Sequence, residues 1–412
     1  MFSSVNAVKE DMDLQQGTAV SAPEYCLDFR NLAESFDRQR RIPKRMHRIL
    51  IARNGSTGDW VGPNTEMDEL IDFHEAAKEF MLQNADFELQ WWYHDDCERY
   101  LAAHFDPCVL QAFHRVKAYA FKVDLMRFAI LYREGGWYGD LRHYVLTSLS
   151  QGCGRVAAAY EQGMDCSSDM QWFSCCQDGV FVPADVQATF DSDLSASLSP
   201  GYSYQHEVKL ADATRAREIR VALMQNGFLG AAAGHPFLKI AIAEAVRNVQ
   251  LGFYGSNPWE PTGPTLLMRS IATYFGDGSR LGRNMLFDGV GDGVETASEY
   301  VNSIRPHMPY PEFACFGRFV HAPPEMIERE VYQVGDPASV LVSHKGLFQR
   351  RRHERLEKFK ANEWQHPDFG PGSGWNGLGG NNYLALWCQR NMYKQQRGCR
   401  RPTAGKSRRT RP

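Results

Sequence analysis

Met46-His47-Arg48-Ile49-Leu50-Ile51-Ala52 is a short, apolar-rich run bounded by Pro43 on one side and Asn54-Gly55 on the other. Apolar runs of roughly four to eight residues between such breakers read as buried strands. Asn64 then precedes a segment with Glu66 and Asp68 in its first turn and apolar residues at Met67, Leu70, Ile71, Ala77, Phe80 and Met81. A capping side chain, acids at the positive end of the helix dipole and a single apolar face predict an amphipathic helix. Phe87–Tyr93 reads as a second strand and Asp95-Asp96 as the acidic start of a second helix. Strand, helix, strand, helix is a βαβ opening, so the expected fold is α/β with a partly parallel sheet.

Farther along, Val109–Arg133 reads as one long helix stopped by Gly135-Gly136, followed by an aromatic strand over Trp137–Leu146. Strand-like pieces are expected at Arg155–Tyr160, Gly179–Pro183 and Ser339–Ser343, and helices over Pro236–Gln250 and after Thr262-Gly263-Pro264. Pro306–Pro324 reads as loop-rich, and Arg350–Lys360 as a basic helical piece. The first 40 residues are polar and weakly patterned, with one short helix near Phe29–Phe36. The expected organisation is an N-terminal extension over 1–40, one domain over 41–390 and a basic, disordered tail over 391–412.

With 412 residues, 43% apolar and 23% charged, the chain has ordinary globular usage, which excludes collagen-like, wholly disordered and polytopic membrane classes. No stretch approaches the ~20 apolar residues of a membrane-spanning helix; the richest, Phe228–Val246, is broken by His235 and Lys239. Met1–Asp13 lacks the apolar core of a secretory signal, so a cytoplasmic address is expected. The ten cysteines include no CxxC pair and read as reduced, mostly buried thiols; Cys175 and Cys176 face opposite ways on a strand. From Arg390 onward the chain holds nine Lys and Arg and no acid, so the formal charge of −3 conceals a body near −12. Such a tail suits an anionic membrane surface or no partner at all; with an acidic body, no nucleic-acid partner is expected.

The polar residues that carry chemistry lie between Ala120 and Arg142. Asp124 and Arg127 are three apart on a helix and share a face; Asp140 and Arg142 are two apart on an expected strand and share a side. A carboxylate and a guanidinium on each of two adjoining elements can hydrogen-bond sugar hydroxyls and neutralise a diphosphate. On spacing alone, the same four residues serve equally as ordinary surface ion pairs. A dinucleotide-dependent oxidoreductase is disfavoured, because Arg53-Asn54-Gly55-Ser56-Thr57-Gly58 follows the first strand where a G-x-G-x-x-G would stand.

Asp124, Arg127, Leu131, Gly135, Gly136, Tyr138 and Asp140 match a helix of the form A-x-S-D-x-x-R-x-x-x-L followed by G-G-x-Y-x-D-x-D, with Ala120 one place ahead of the pattern's alanine. The segment resembles the sugar-binding region of DXD glycosyltransferases, the group of fungal initiating mannosyltransferases, bacterial capsular-polysaccharide transferases and, more distantly, the large clostridial glucosylating toxins. Ile42-Pro43-Lys44-Arg45-Met46-His47, the Asn84–Asp96 strand, Asn226 with Gly234-His235-Pro236, and Thr262-Gly263-Pro264 match further landmarks in the family's order.

The resemblance implies a GT-A-like, Rossmann-related α/β sheet with helices on both faces and a loop-rich C-terminal part, as a glycosyltransferase domain over 41–390. It implies transfer of a hexose from a UDP- or GDP-sugar to a hydroxyl of a glycan, a lipid-linked sugar or a protein, with retention at the anomeric carbon. Lys122, Asp124, Arg127, Tyr138 and Asn226 inherit donor-sugar binding, and Asp140 and Arg142 the catalytic positions. His344 and Lys345 inherit contact with the diphosphate. The second acid of DXD normally ligates Mn²⁺ or Mg²⁺, and Arg142 stands in its place. A guanidinium ligates neither ion. Asp140 therefore holds a metal with other help, or Arg142 itself offsets the diphosphate charge, or the protein is a non-catalytic binder. For an acceptor-activating acid, Asp169, Glu260 and Asp288 are candidates without support from their surroundings.

Overall fold

The computed structural model describes residues 41–54, 57–65, 68–146, 148–149, 171–183, 218–255, 258–275, 314–321, 330–334, 339–343, 378–379, 386 and 391–394. In chain order the strands and helices begin with β1 (Arg45–Leu50), the two-residue β2 (Arg53–Asn54), α1 (Asp68–Gln83), β3 (Glu88–Tyr93), α2 (His94–His104), α3 (Pro107–Arg115) and α4 (Tyr119–Glu134). They continue with β4 (Gly136–Gly139), β5 (Tyr144–Val145), β6 (Trp172–Pro183), β7 (Glu218–Ala231), α5 (Pro236–Leu251) and α6 (Pro264–Tyr274). β8 (Ala314–His321), β9 (Glu330–Val334), β10 (Ser339–Ser343) and β11 (Leu378–Gly379) complete the set.

The main sheet has the order β3-β1-β4-β7-β6-β8-β9-β10-β5, and β11 pairs with β2 in a small second sheet. β1 lies parallel to both β3 and β4, while β4 meets β7 antiparallel. The expected α/β sheet is therefore present, parallel at its opening and mixed beyond it.

β1 shows why this sheet is covered on both faces. Met46, Leu50 and Ala52 pack toward Phe80, Leu70, Phe73 and Ala76 of α1. Ile49 and Ile51 point the other way, into a core built by α2 through α6. The period-two alternation of a strand sends successive side chains to opposite layers, and here both layers are apolar. α4 is buried almost all round, from Phe121 to Leu131, so any polar residue it carries has to find a partner inside the protein.

Two elements differ from the sequence expectation. The long helix over Val109–Arg133 is two helices, broken where Val116 adopts an extended conformation. Val116 bridges Tyr393, Lys117 N–H donates to the Met392 carbonyl at 2.8 Å, and Lys394 N–H donates to that of Arg115 at 2.7 Å. Backbone groups that would extend the helix are thus spent on a segment distant in sequence. The same contacts move a boundary: Met392 and Tyr393 are buried, so residues 391–394 belong to the body and not to the basic tail. The strand over Trp137–Leu146 is also interrupted. β4 ends at Gly139, Leu141 and Arg142 form a turn, and β5 resumes at Tyr144 to pair with β10. Asp140 and Arg142 are therefore turn residues and do not share a strand face.

Pro306–Pro324, read as loop-rich, contains β8, whereas Ser339–Ser343 is the strand expected. The pieces at Phe29–Phe36, Arg155–Tyr160 and Arg350–Lys360 lie outside the described residues. Cys97 and Cys175 are free and buried as expected, but Cys108 is disulfide-bonded. Among the described residues no helix is long and apolar enough to cross a membrane.

The Gly135-Gly136 stop is forced sterically. Both residues have positive φ, at 67° and 100°. A Cβ on Gly135 would lie 2.8 Å from Ala233 N, and one on Gly136 would lie 2.7 Å from the Arg45 carbonyl oxygen. Only glycine adopts this conformation at such close approach.

Buried histidines make this core acid-sensitive. Burial lowers His47 from 6.5 to about 4 and His235 to about 3. A base whose folded pKa is depressed contributes stability that is complete above its unfolded pKa and is lost as pH falls from 6.5 toward the folded value. At roughly 1.4 kcal/mol per unit, each contributes on the order of 3–5 kcal/mol across that window. His235 also caps α5 by accepting the Phe237 N–H. His235→Asn retains a capping side chain without the titration, so its melting temperature should fall less between pH 7 and pH 5 than that of the parent; an equal fall would refute the assignment.

Candidate functional site

The site forms where β4 leaves the sheet. Its neighbour β1 is parallel and its neighbour β7 antiparallel. α4 presents Asp124 and Arg127 to the C-terminal end of β4 one turn apart, β7 contributes Asn226, and the turn before α6 contributes Thr262.

Asp124 is 7% exposed. Its Oδ1 accepts from Asn226 Nδ2 at 2.9 Å and lies 3.1 Å from Arg127 Nη2, and its Oδ2 accepts from Thr262 Oγ1 at 3.0 Å. A carboxylate has about four acceptor positions, and the described partners occupy three of them. Burial raises Asp124 from 3.8 to about 6, against the opposing pull of Arg127, Thr262 and Asn226.

Arg127 is the hub. It is 5% exposed, donates to the Asn226 carbonyl, approaches Asp140 Oδ1 at 3.5 Å and lies 4.4 Å over the Tyr138 ring. The Tyr138 hydroxyl, itself buried, donates to Asp140 Oδ1 at 2.6 Å. Burial holds that phenol well above its ordinary value, so it remains a donor. Asp140 has a side chain 36% exposed and gives the cluster its opening to solvent.

The structure thus brings together Asp124, Arg127, Tyr138, Asp140 and Asn226. Arg142 lies half-buried in the turn that follows. Lys122 is elsewhere: it projects toward α3, donating to the Phe113 carbonyl and lying 4.1 Å over the Phe113 ring. Two positions along a helix is about 200° of rotation, which separates it from Asp124. Burial lowers Lys122 to about 7. Glu260 is held by Arg269 at 2.7 Å. His344, Lys345, Asp169 and Asp288 lie outside the described residues.

Thr262 and Arg48 escaped the sequence reading as site residues. Thr262 had been seen only as part of a turn. Arg48 had a signal, a permanent cation within an otherwise apolar strand, since arginine is rarely buried unpaired.

For a divalent cation, the Asp140-Leu141-Arg142 segment supplies one carboxylate, and one oxygen of it already serves Tyr138 and Arg127. Arg142 adds no lone pair. The segment by itself does not fit Mn²⁺ or Mg²⁺. A possible His/Asp/Glu donor set exists at His94, Asp95 and Glu98, whose ligand atoms lie within 4.8 Å of one another. It stands in the first turn of α2, where the helix dipole is unfavourable to a cation.

Residues 68–160 match the family described as a glycosyltransferase sugar-binding region containing the DXD motif. This stretch is what the chain has in common with glycosyltransferases. Within the matched stretch lie Asp124, Arg127, Tyr138 and Asp140, whereas Asn226 and Thr262 come from beyond it. The chain is also 31% identical over 100 residues to an uncharacterized glycosyltransferase of Acanthamoeba polyphaga mimivirus, a match covering 24% of this chain and 35% of that relative's length. Among solved structures it is similar to the PaToxG glycosyltransferase, with 16% identity and a TM-score of 0.31 over 66% of this chain and 88% of that one.

Proposed function

We propose that the chain is a nucleotide-sugar-dependent hexosyltransferase, moving a hexose from a UDP- or GDP-sugar to a hydroxyl of a glycan, lipid-linked sugar or protein, with retention of configuration. The observation that carries this reading is the state of Asp124. It is a buried carboxylate with three partners among the described residues for about four acceptor positions, beside a half-open Asp140. Such a group selects a polyhydroxylated ligand, because a sugar hydroxyl can fill the last position while water is excluded.

In this reading Asp124 and Asn226 orient the sugar and Tyr138 fixes the rotamer of Asp140. As the bond to the diphosphate lengthens, positive charge grows on the sugar and negative charge on the leaving oxygens. Asp140 faces the first, and Arg142 stabilises the second in the place where the family has a metal-binding acid. Mn²⁺ or Mg²⁺ would supply the same charge compensation if a further ligand completed a site. A basic C-terminal tail would hold a cytoplasmic enzyme near an anionic membrane where such acceptors lie.

The second reading, a nucleotide-sugar binder without turnover, is favoured by one feature, the arginine at the second DXD position. A panel of UDP- and GDP-sugars, read out as released diphosphate with Mn²⁺ and with EDTA, decides between them. Turnover that persists in EDTA and drops ~100-fold or more in Arg142→Ala is expected. Loss of all turnover with EDTA would assign the charge compensation to a metal, and tight binding without any diphosphate release would establish the binder.

A further inference from the structure

We infer that Arg48 is a positioning residue, a buried strut whose guanidinium holds the Asp140–His143 turn and thereby sets where Asp140 and Arg142 stand. Arg48 is in β1 and is 1% exposed. Its Nη1 donates to the carbonyls of Gly139, at 3.0 Å, and Asp140, and its Nη2 donates to the carbonyl of His143 at 3.3 Å. These carbonyls belong to the last residue of β4 and to the connection between β4 and β5. A carbonyl turned into the protein there needs a donor from elsewhere. One planar fork reaches backbone on both sides of Leu141-Arg142, which a lysine ammonium on a flexible stem cannot reproduce.

The N–H side of the turn is held separately. Asp140 N–H donates to the Gly227 carbonyl at 2.8 Å and faces His143 Nδ1 at 3.2 Å, and His143 N–H donates back to the Asp140 carbonyl at 3.0 Å. Donors beneath and acceptors above leave the turn a single placement. The sequence is shaped to this contact as well: a Cβ on Gly139 would lie 3.1 Å from Arg48 Nη1 and 3.4 Å from its Cζ. Burial lowers Arg48 to about 10, while Tyr138, Asp140 and Tyr144 oppose the shift, so it stays charged at neutral pH. A buried cation is costly where an apolar side chain would pack; it is retained here against three carbonyls that would lose its donated bonds if an apolar residue replaced it.

The catalytic consequence rests on the hexosyltransferase reading, but the strut itself does not. Arg48→Lys keeps charge and volume, and Arg48→Met keeps volume alone. In both, hydrogen exchange read on peptides spanning residues 136–146 should accelerate, while peptides of α1 and α5 keep their protection. Diphosphate release from the donor that the parent uses should fall about 100-fold in kcat, the scale of a misplacement near 1 Å, with KM changed far less. Guanidinium ion at non-denaturing concentration should restore part of the rate and of the protection to Arg48→Ala. If Arg48→Lys folds with parental exchange over 136–146, or if protection is lost evenly across the sheet without rescue, Arg48 only fills the core and the inference fails. If the parent releases diphosphate from no donor, the hexosyltransferase reading fails, and the exchange measurement still decides the strut.

Discussion

Arg127→Met is expected to lower the unfolding free energy by about 3–5 kcal/mol at pH 8, the cost of leaving a buried charge without its partner. Arg127 is the cation facing Asp124 and the donor to the Asn226 carbonyl, and it covers the Tyr138 ring. Methionine retains most of the apolar stem and none of these contacts. The penalty has a pH signature. Asp124 already sits at about 6, above its ordinary 3.8. An acid whose folded pKa is raised contributes stability that is fully present below the unfolded value and is lost as pH rises through the folded one. Removing Arg127 takes away an interaction that lowers this pKa, so the carboxyl would hold its proton to still higher pH. The difference between parent and variant should therefore grow from pH 5 to pH 8, as read by urea unfolding at each pH. A gap independent of pH would show that Asp124 is not the uncompensated group. Adding Asp124→Asn to Arg127→Met should recover much of the loss, because two groups in one network are strongly non-additive.

The opening of the fold was legible because its cues are local. β1, α1, β3 and α2 each announce themselves through an apolar period, a cap or a breaker within a few residues. The break between α3 and α4 carries no such cue. Val116-Lys117-Ala118 contains neither glycine nor proline, and the chain leaves the helix to pair with residues about 275 positions away. The end of β4 is hidden for a similar reason. Trp137 to Leu146 mixes aromatic and apolar residues with Gly139, Asp140, Arg142 and His143 and contains no proline, and the turn after Gly139 is bonded by Arg48 from a neighbouring strand. For the site, spacing correctly joined Asp124 to Arg127, since i and i+3 share a helix face. It could not separate Lys122, whose fate depends on α3 packing against α4, nor supply Thr262, which is a partner of Asp124 only in three dimensions.

Asp140→Asn and Asp140→Ala should have the largest effect on turnover, a loss of about 10³-fold in kcat, typical of removing one preorganised charge or donor at the reacting centre. The two variants divide the role of the residue. Asparagine keeps an oxygen to accept the Tyr138 hydroxyl, now bonded at 2.6 Å, but abolishes the charge. Alanine also leaves that buried phenol without an acceptor, which costs about 1–3 kcal/mol of stability. The expected pattern is therefore equal loss of kcat in both, with a lowered melting temperature in alanine alone. The charge that matters is exposed enough to meet a ligand, with the side chain 36% accessible, and near enough to Arg127, at 3.5 Å, to be oriented before the ligand arrives. Donor affinity separates chemistry from binding. If Asp140 acts on charge that develops during transfer, Kd for the donor should change less than ~10-fold while kcat collapses. If donor affinity and kcat fall together, Asp140 is a binding residue, and the stabilisation of the transition state has to be sought at Arg142.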